Sequence, residues 1–392
     1  MDPIVFDFDL NQRAVAMIAA AFFVLLLTVT WYRRIILRPA RRQRSCERGR
    51  EVTAWPGVSV IVLARDNAGA LERMLPGLLG QVYPADYEVV VVNDGSTVSV
   101  TQVVARFCAQ SKNLRETFVP LDTCNLSRRK LGITLGIKAA RYPYVIILDA
   151  DCRIGRRSWL KSMARHFAMG KEVVIGFRNV VGNAGAAVRV DNLIENITWL
   201  TAAVGKRPYR ACESNLGYSR KLFFDHKGFA RSLNLHGGDD DLFIDEVANG
   251  DNTAVELSEA SIVRVKAGNA TRRYHDERLW HAFTGRMLTG RFRRYVRLLT
   301  ALLWVTPALC AVAAVLEWPN VVPALAVFVI MVLQWTAALV YWKRTATALG
   351  YQISYGGLLW GLAVSPFYAF KEWIRCRRNK EHNYTWSISK RR

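Results

Sequence analysis

The sequence predicts an α/β protein, a doubly wound Rossmann-like domain flanked by transmembrane helices. Three observations carry this. Between residues 55 and 148, β-branched runs alternate with segments of helical periodicity. Two of those runs, 89–92 and 145–148, close on acidic clusters, Asn93-Asp94-Gly95-Ser96 and Asp149-Ala150-Asp151, so the carboxylates emerge at the carboxyl ends of parallel strands, where open α/β sheets bind ligands. Apolar stretches of bilayer-spanning length lie on both sides of this region.

Taken in order, residues 14–32 contain no charge and form a transmembrane helix. A cleaved signal peptide is disfavoured, because Asp2, Asp7 and Asp9 stand where a positive n-region belongs. The basic linker 33–54, with Arg33, Arg34, Arg38, Arg41, Arg42, Arg44, Arg48 and Arg50 against Glu47, places its flank in the cytoplasm and the N-terminus outside. The catalytic domain spans 55–270. Within it the pattern predicts a strand at 58–63, a helix at 71–81, a strand at 88–92 after the Tyr83-Pro84 break, a helix at 98–110, a strand at 117–121, a helix at 129–140 and a strand at 144–148, giving a doubly wound sheet. A basic interfacial helix follows at 271–297. Residues 298–342 form a transmembrane hairpin about Glu317-Trp318-Pro319-Asn320. The apolar stretch 353–370 is interrupted by Gly356-Gly357, Gly361 and Pro366 and reads as re-entrant or interfacial, with true crossing as the alternative; the basic tail 371–392 is expected in the cytoplasm.

A chain of 392 residues has room for one catalytic domain besides these spans. The net charge of +22 is concentrated beside the apolar segments, which matches membrane lipids with anionic headgroups; no nucleic-acid motif accompanies it, and no nucleic-acid partner is expected. The seven cysteines show neither a C-x-x-C pair nor zinc spacing, and a reducing cytoplasm would keep them as thiols.

Side chains at i and i+2 of an extended segment share a face, so Asp149 and Asp151 address one ligand while Ala150 points away. A third acidic run, Asp239-Asp240-Asp241, packs three carboxylates whose repulsion raises at least one proton affinity, as a general base requires. Alternatively each cluster is a solvated turn or a helix N-terminus; Asn-Asp-Gly-Ser in particular is good turn chemistry.

Together, Val-Ile-Val-Leu-Ala-Arg-Asp-Asn (60–67), Val-Val-Asn-Asp-Gly-Ser-Thr (91–97), Leu-Asp-Ala-Asp-Cys (148–152) and Gly-Gly-Asp-Asp-Asp-Leu-Phe (237–243) resemble family 2 glycosyltransferases, whose fold is GT-A. The likeness extends over about residues 55–300 and includes Asn215-Leu-Gly-Tyr-Ser-Arg. It implies an inverting hexosyltransferase taking a nucleotide-sugar donor, a UDP-sugar above others, to a lipid-linked or saccharide acceptor at the inner membrane. It also implies a Mg2+ or Mn2+ ion, since a departing nucleoside diphosphate is a polyanion that a hard cation neutralises. By the same resemblance Asp151 touches the metal and Asp149 the sugar or ribose; Arg65, Asp66, Asp94 and Lys130 line the nucleotide pocket; and Asp239 or Asp240 is the base, the choice depending on whether the motif is aligned on Leu242 or on Gly-Asp-Asp. Many membrane-bound relatives continue with Gln-x-x-Arg-Trp. Here the matching register places Glu277 at the Gln position and Trp280-His281 at the end, which leaves Trp280 and His281 as acceptor-side candidates and puts processive synthesis in doubt. Transfer to polyprenyl phosphate, and a degenerate nucleotide-binding membrane protein, are the alternatives.

Overall fold

The computed structural model describes residues 4–48, 52–94, 98–120, 127–268, 270–288 and 295–378. It divides into two compact units: Arg41–Ala184, Ala202–Gly290 and Ile374–Arg392 form one, and Met1–Ala40, Gly185–Thr201 and Arg291–Trp373 the other.

The first unit is built on strands β1 (Val58–Ala64), β2 (Tyr87–Asn93), β3 (Leu114–Phe118), β4 (Tyr144–Asp149), β5 (Cys152–Ile154), β6 (Val173–Ile175), β7 (Arg178–Gly182), β8 (Leu216–Ser219), β9 (Thr253–Val255) and β10 (Val263–Ala267). Seven of them form a sheet in the order β3-β2-β1-β4-β8-β6-β9, and β5-β10-β7 form a smaller one. The chain winds outward from β1 through β2 to β3, then returns to the other side of β1 as β4, all four parallel. The switch point between β1 and β4 therefore opens a crevice at their carboxyl ends, beside Asp149.

The parallel arrangement expected from the sequence stops at β4: β8 runs antiparallel to both β4 and β6. β8 is four residues long, Leu-Gly-Tyr-Ser, and has no β-branched run to betray it. β3 also lies three residues earlier than the expected 117–121, and residues 121–126 fall outside the described ones, as do Gly95 and Ser96 of the second motif.

Alternation along β1 sends Val58, Val60 and Val62 to one core layer with Leu71, Leu75, Leu78 and Trp159. On the other face, helix Arg128–Ala139 lies so close that a Cβ on Gly136 would stand 2.5 Å from Ile61 Cγ2 and 2.9 Å from Val92 Cγ2. Only glycine permits that approach, which carries the helix start, capped by Ser127, to the crevice.

The second unit holds the apolar helices. Gln12–Glu47, Val296–Leu316 and Val322–Ala348 are each long and apolar enough to cross a membrane. They share a buried polar knot: Gln334 donates to Thr28 Oγ1 at 2.8 Å and accepts from Thr306, giving hydrogen bonds between three helices. The helix starting at Gln12 continues past Trp31 to Glu47, so much of the expected linker is helical. The interrupted stretch 353–370 is a single helix, Tyr355–Arg378, running through Pro366 and into the basic tail. Its glycines pack rather than break it: a Cβ on Gly361 would lie 2.4 Å from Val190 Cγ2. The helix continues unbroken to Arg378 and is not among the three of crossing length and apolarity found among the described residues. Tail residues 379–392 fall outside the described ones.

Candidate active site

The crevice at the end of β4 gathers residues from four separate parts of the sequence. Ala150 donates its N–H to Leu63 O at 2.9 Å and is buried, so Asp149 and Asp151 turn to the opposite side. Asp149 accepts from Arg129 Nη1 at 2.5 Å and from the Ser214 hydroxyl. Asp151 Oδ2 accepts from Arg273 Nη1 at 2.6 Å, whereas its buried Oδ1 has no hydrogen-bond partner among the described residues. A buried carboxylate oxygen without a donor beside it suits a cation, so the residues present fit a divalent ion.

On the β1–β2 side, Asp94 sits just past β2, its N–H bonded to Ala64 O at 2.9 Å. Its carboxylate accepts from Arg128 Nε at 2.7 Å and lies 3.8 Å from Arg65. Arg65 and Asp94 are thus brought together, with Arg128 as a member that the sequence reading missed. Asp66 occupies the loop after β1 with φ 50°, a left-handed conformation that Asp tolerates better than most residues.

Lys130 is not on this wall. Its side chain is buried and Nζ donates to Ser232 O, to Ser232 Oγ at 2.9 Å and to Leu235 O at 3.2 Å, closing the turn before the acidic run. Burial pulls its ammonium down to about 8 against the opposing charges of Asp239, Asp241 and Asp240. The helix phase explains the difference: in Arg128-Arg129-Lys130, successive side chains are about 100° apart, and it is Arg129 that turns to the crevice. Its fork takes Asp149 at 2.5 Å, Asp239 at 2.7 Å and Glu213 O at 2.6 Å. Nothing but that phase distinguished Arg129 from its neighbours.

The acidic run splits three ways. Gly238 has φ 103°, which favours glycine, and starts the turn. Asp239 goes to Arg129. Asp240 accepts from His281 Nε2 at 3.1 Å. Asp241 caps helix Leu242–Val247 and accepts from the Thr284 hydroxyl. Burial, then Asp239 and Glu213, push the Asp240 carboxyl up to about 8, while burial and Asp240 also raise Asp241. Burial would raise Glu213 as well, but Arg178 and Arg129 outweigh it and hold that carboxyl at about 2.

Helix Ala270–Thr284 supplies the last wall. Glu277 accepts from Arg178 at 2.8 Å and Arg273 at 3.1 Å, and Trp280 stands edge-on to His236, ring centres 5.6 Å apart. Trp280, His281, Arg129, His236 and the acidic run enclose a cleft of about 220 Å³, room for about one sugar ring beside the carboxylates. The helix stops at Thr284, short of the expected 297, and residues 289–294 lie outside the described ones.

Residues 59–230 match the model of Glycosyl transferase family 2. The matched segment holds the parallel strands β1 to β4 and the carboxylates Asp94, Asp149 and Asp151, and is similar to that family over this stretch. Chondroitin synthase of Escherichia coli is 29% identical over 121 residues, 30% of this chain and 17% of that one. Poly-beta-1,6-N-acetyl-D-glucosamine synthase of Staphylococcus epidermidis is 31% identical over 96 residues, 24% and 22% of the two chains, so the match spans about a fifth of these relatives' length. Among solved structures, a mannosyltransferase of Pyrobaculum calidifontis in complex with GDP-Man and Mn2+ aligns over 91% of this chain and 98% of its own, at 22% identity and a TM-score of 0.48.

Proposed function

We propose that the protein is a membrane-anchored, inverting glycosyltransferase that moves a sugar from a nucleotide-sugar donor to a membrane-associated acceptor, a lipid-linked saccharide or an envelope polysaccharide precursor. The observation that carries this reading is the Arg129 fork, which ties Asp149 to Asp239 and so joins two acidic motifs 90 positions apart into one site. A transferase of this class needs a donor-side carboxylate pair beside an acceptor-side base; Arg129, which holds Asp149, lines a cleft of about one sugar's size together with Asp239 and Asp240.

In the proposed reaction, a carboxylate of the Asp239–Asp240 pair removes the proton of an acceptor hydroxyl. The freed oxygen attacks the anomeric carbon as the bond to the diphosphate breaks on the opposite face, which inverts the configuration. One base suffices; a hydrolase would need a second carboxyl donating a proton across the bond. Asp149, held by Arg129 and Ser214, faces the donor's sugar or ribose, and Arg65, Asp66 and Asp94 border the nucleotide. Asp151 would hold the Mg2+ or Mn2+, which when bound offsets the charge on the leaving diphosphate. A UDP-sugar is the donor expected from the sequence resemblance, and the apolar helices with their basic flanks favour a catalytic domain on the cytoplasmic face of the inner membrane.

The test is nucleotide release by detergent-solubilised protein from a panel of UDP-, GDP- and dTDP-sugars with Mn2+ or Mg2+, with added membrane lipids. One donor should be turned over only with metal, and Asp151→Ala should remove at least 100-fold of the rate, the scale of a lost charge-stabilising group. Turnover indifferent to metal and to Asp151→Ala would refute the reading.

A further inference from the structure

Resting on that reading, and choosing between the two aspartates it leaves open, we propose that Asp240 is the general base and that His281 is its positioning residue, oriented in turn by Arg210. The geometry is a chain of donors. Arg210 Nη2 lies within hydrogen-bond reach of His281 Nδ1, and a guanidinium can only donate, so Nδ1 accepts and the ring proton resides on Nε2. Nε2 faces Asp240 Oδ2 at 3.1 Å and donates to it. Arg210 thus sets the tautomer, and the tautomer aims the carboxylate.

The other aspartate is otherwise engaged. Asp239 Oδ2 accepts from Arg129 Nε at 2.7 Å, and the same fork grips Asp149, so Asp239 serves to connect the two motifs. Asp240 has no arginine within ion-pair distance among the described contacts, lines the cleft, and is fixed at its backbone by Ala211 N donating to its carbonyl at 2.8 Å. Its surroundings are the acids Asp239, Asp241 and Glu213, the cations Arg129, Arg210 and Lys130, and His281. Burial pulls His281 down to about 4, helped by Arg210, so the ring stays neutral while Asp240, pushed up to about 8, takes and releases the proton. The chemistry balances: the acceptor O–H proton passes to Asp240, the acceptor oxygen bonds the anomeric carbon, and the electron pair of the breaking bond leaves with the nucleoside diphosphate.

Asp240, Asp241 and His281 also bring three ligand atoms within 4.8 Å of one another, the outline of a cation site. His281 Nδ1 accepts from Arg210, both oxygens of Asp241 accept from Leu242 N and Thr284, and Arg210 adds a positive charge beside the group, all of which weigh against a cation there. A hydrogen-bonded relay accounts for all of these contacts.

The experiment measures kcat, donor KM and the pH–rate profile for wild type, His281→Phe, His281→Gln and Asp240→Asn, with thermal unfolding as a check on folding. Since only the unprotonated carboxyl accepts a proton, the wild-type rate should fall on the acid side of a limb near 8. His281→Phe removes a hydrogen bond that favours the ionised form. It should lower kcat about 10- to 100-fold, move the limb up by about one pH unit and leave donor KM within about twofold. His281→Gln keeps an N–H donor and should recover kcat to within about threefold of wild type. An unchanged rate and limb in His281→Phe, a glutamine variant as impaired as the phenylalanine, or Asp240→Asn within tenfold of wild type would each overturn the proposal while the transferase stands. A wild type without turnover would sink the transferase reading and this proposal together. Should the variants fail to fold, nitrogen-15 correlation of the wild-type histidine rings decides: a protonated Nε2 is expected for His281, and a protonated Nδ1 overturns the assignment.

Discussion

At the residue scale, the site is organised by arginines that neutralise its carboxylates. Arg129 joins Asp149 and Asp239, Arg178 lies between Glu213 and Glu277, and Arg273 holds one oxygen of Asp151. The Arg273 contact has a direct consequence for cation binding, because a guanidinium on Oδ2 and a divalent ion at Oδ1 draw on the charge of the same carboxylate. Arg273→Gln should bind Mn2+ about fivefold more tightly in the presence of a nucleoside diphosphate, the equivalent of ~1 kcal/mol for a partly exposed ion pair. Electron paramagnetic resonance titration checks this, and equal affinity in the two proteins would show that the ion pair does not compete. Of the acidic partners, Asp149, Asp151 and Asp239 were legible because they stand in an ordered set of motifs, and Glu277 from the register of the following segment, whereas Glu213 belongs to no motif. Arg129, Arg178 and Arg273 were not, because 54 lysines and arginines leave any single basic residue without a distinguishing signal.

At the scale of elements, the helix Arg128–Ala139 is the part on which the site depends most. Gly136 lets it sink onto β1 and β2, Ser127 caps it and also donates to His236 O at 2.8 Å, and Lys130 pins it to the 232–235 turn. Lys130→Met would leave those buried carbonyls without their donor and should cost about 1–3 kcal/mol. A lowered unfolding temperature with little change in donor KM is expected; the opposite pattern, an intact melt with a raised KM, would return Lys130 to the nucleotide. The elements themselves followed the pattern where hydrophobic periodicity is strong, as in β1, β2 and β4. They departed from it where an element is short and mixed, as in β8, or where packing supplies what local propensity lacks, as in the continuous helix through Gly361 and Pro366. A further contact set at this scale joins helix Arg38–Glu47 to the sheet edge, with Arg42 Nε donating to Val255 O at 2.7 Å and Arg165 to Cys46 O at 2.6 Å. The neighbouring Glu256, which burial alone would raise, is held at about 2 by His166 and Arg165.

At the scale of the whole molecule, charge and apolarity are segregated. The excess of +22 lies largely beside the apolar helices, and Glu317 to Asn320 between two of them contains no basic residue. By the positive-inside rule the expected topology puts that turn away from the cytoplasm and residues near Gly350 towards it. Alkaline phosphatase fused after Trp318 should be active in a bacterial host, and the same enzyme fused after Gly350 inactive; the reverse would invert the proposed topology and place the catalytic domain outside.

The sequence by itself determined the α/β class, the succession β1 to β4, the long apolar helices and the acidic motifs, because these rest on short-range periodicity and on residue order. Tertiary structure alone decided which arginine meets which carboxylate, that Lys130 faces inward, and that Asp239, Asp240 and Asp241 part to three different partners. Those outcomes depend on helix phase, on the approach that Gly136 allows, and on the return of Ala270–Thr284 to strands more than a hundred residues earlier, and no local pattern encodes any of them.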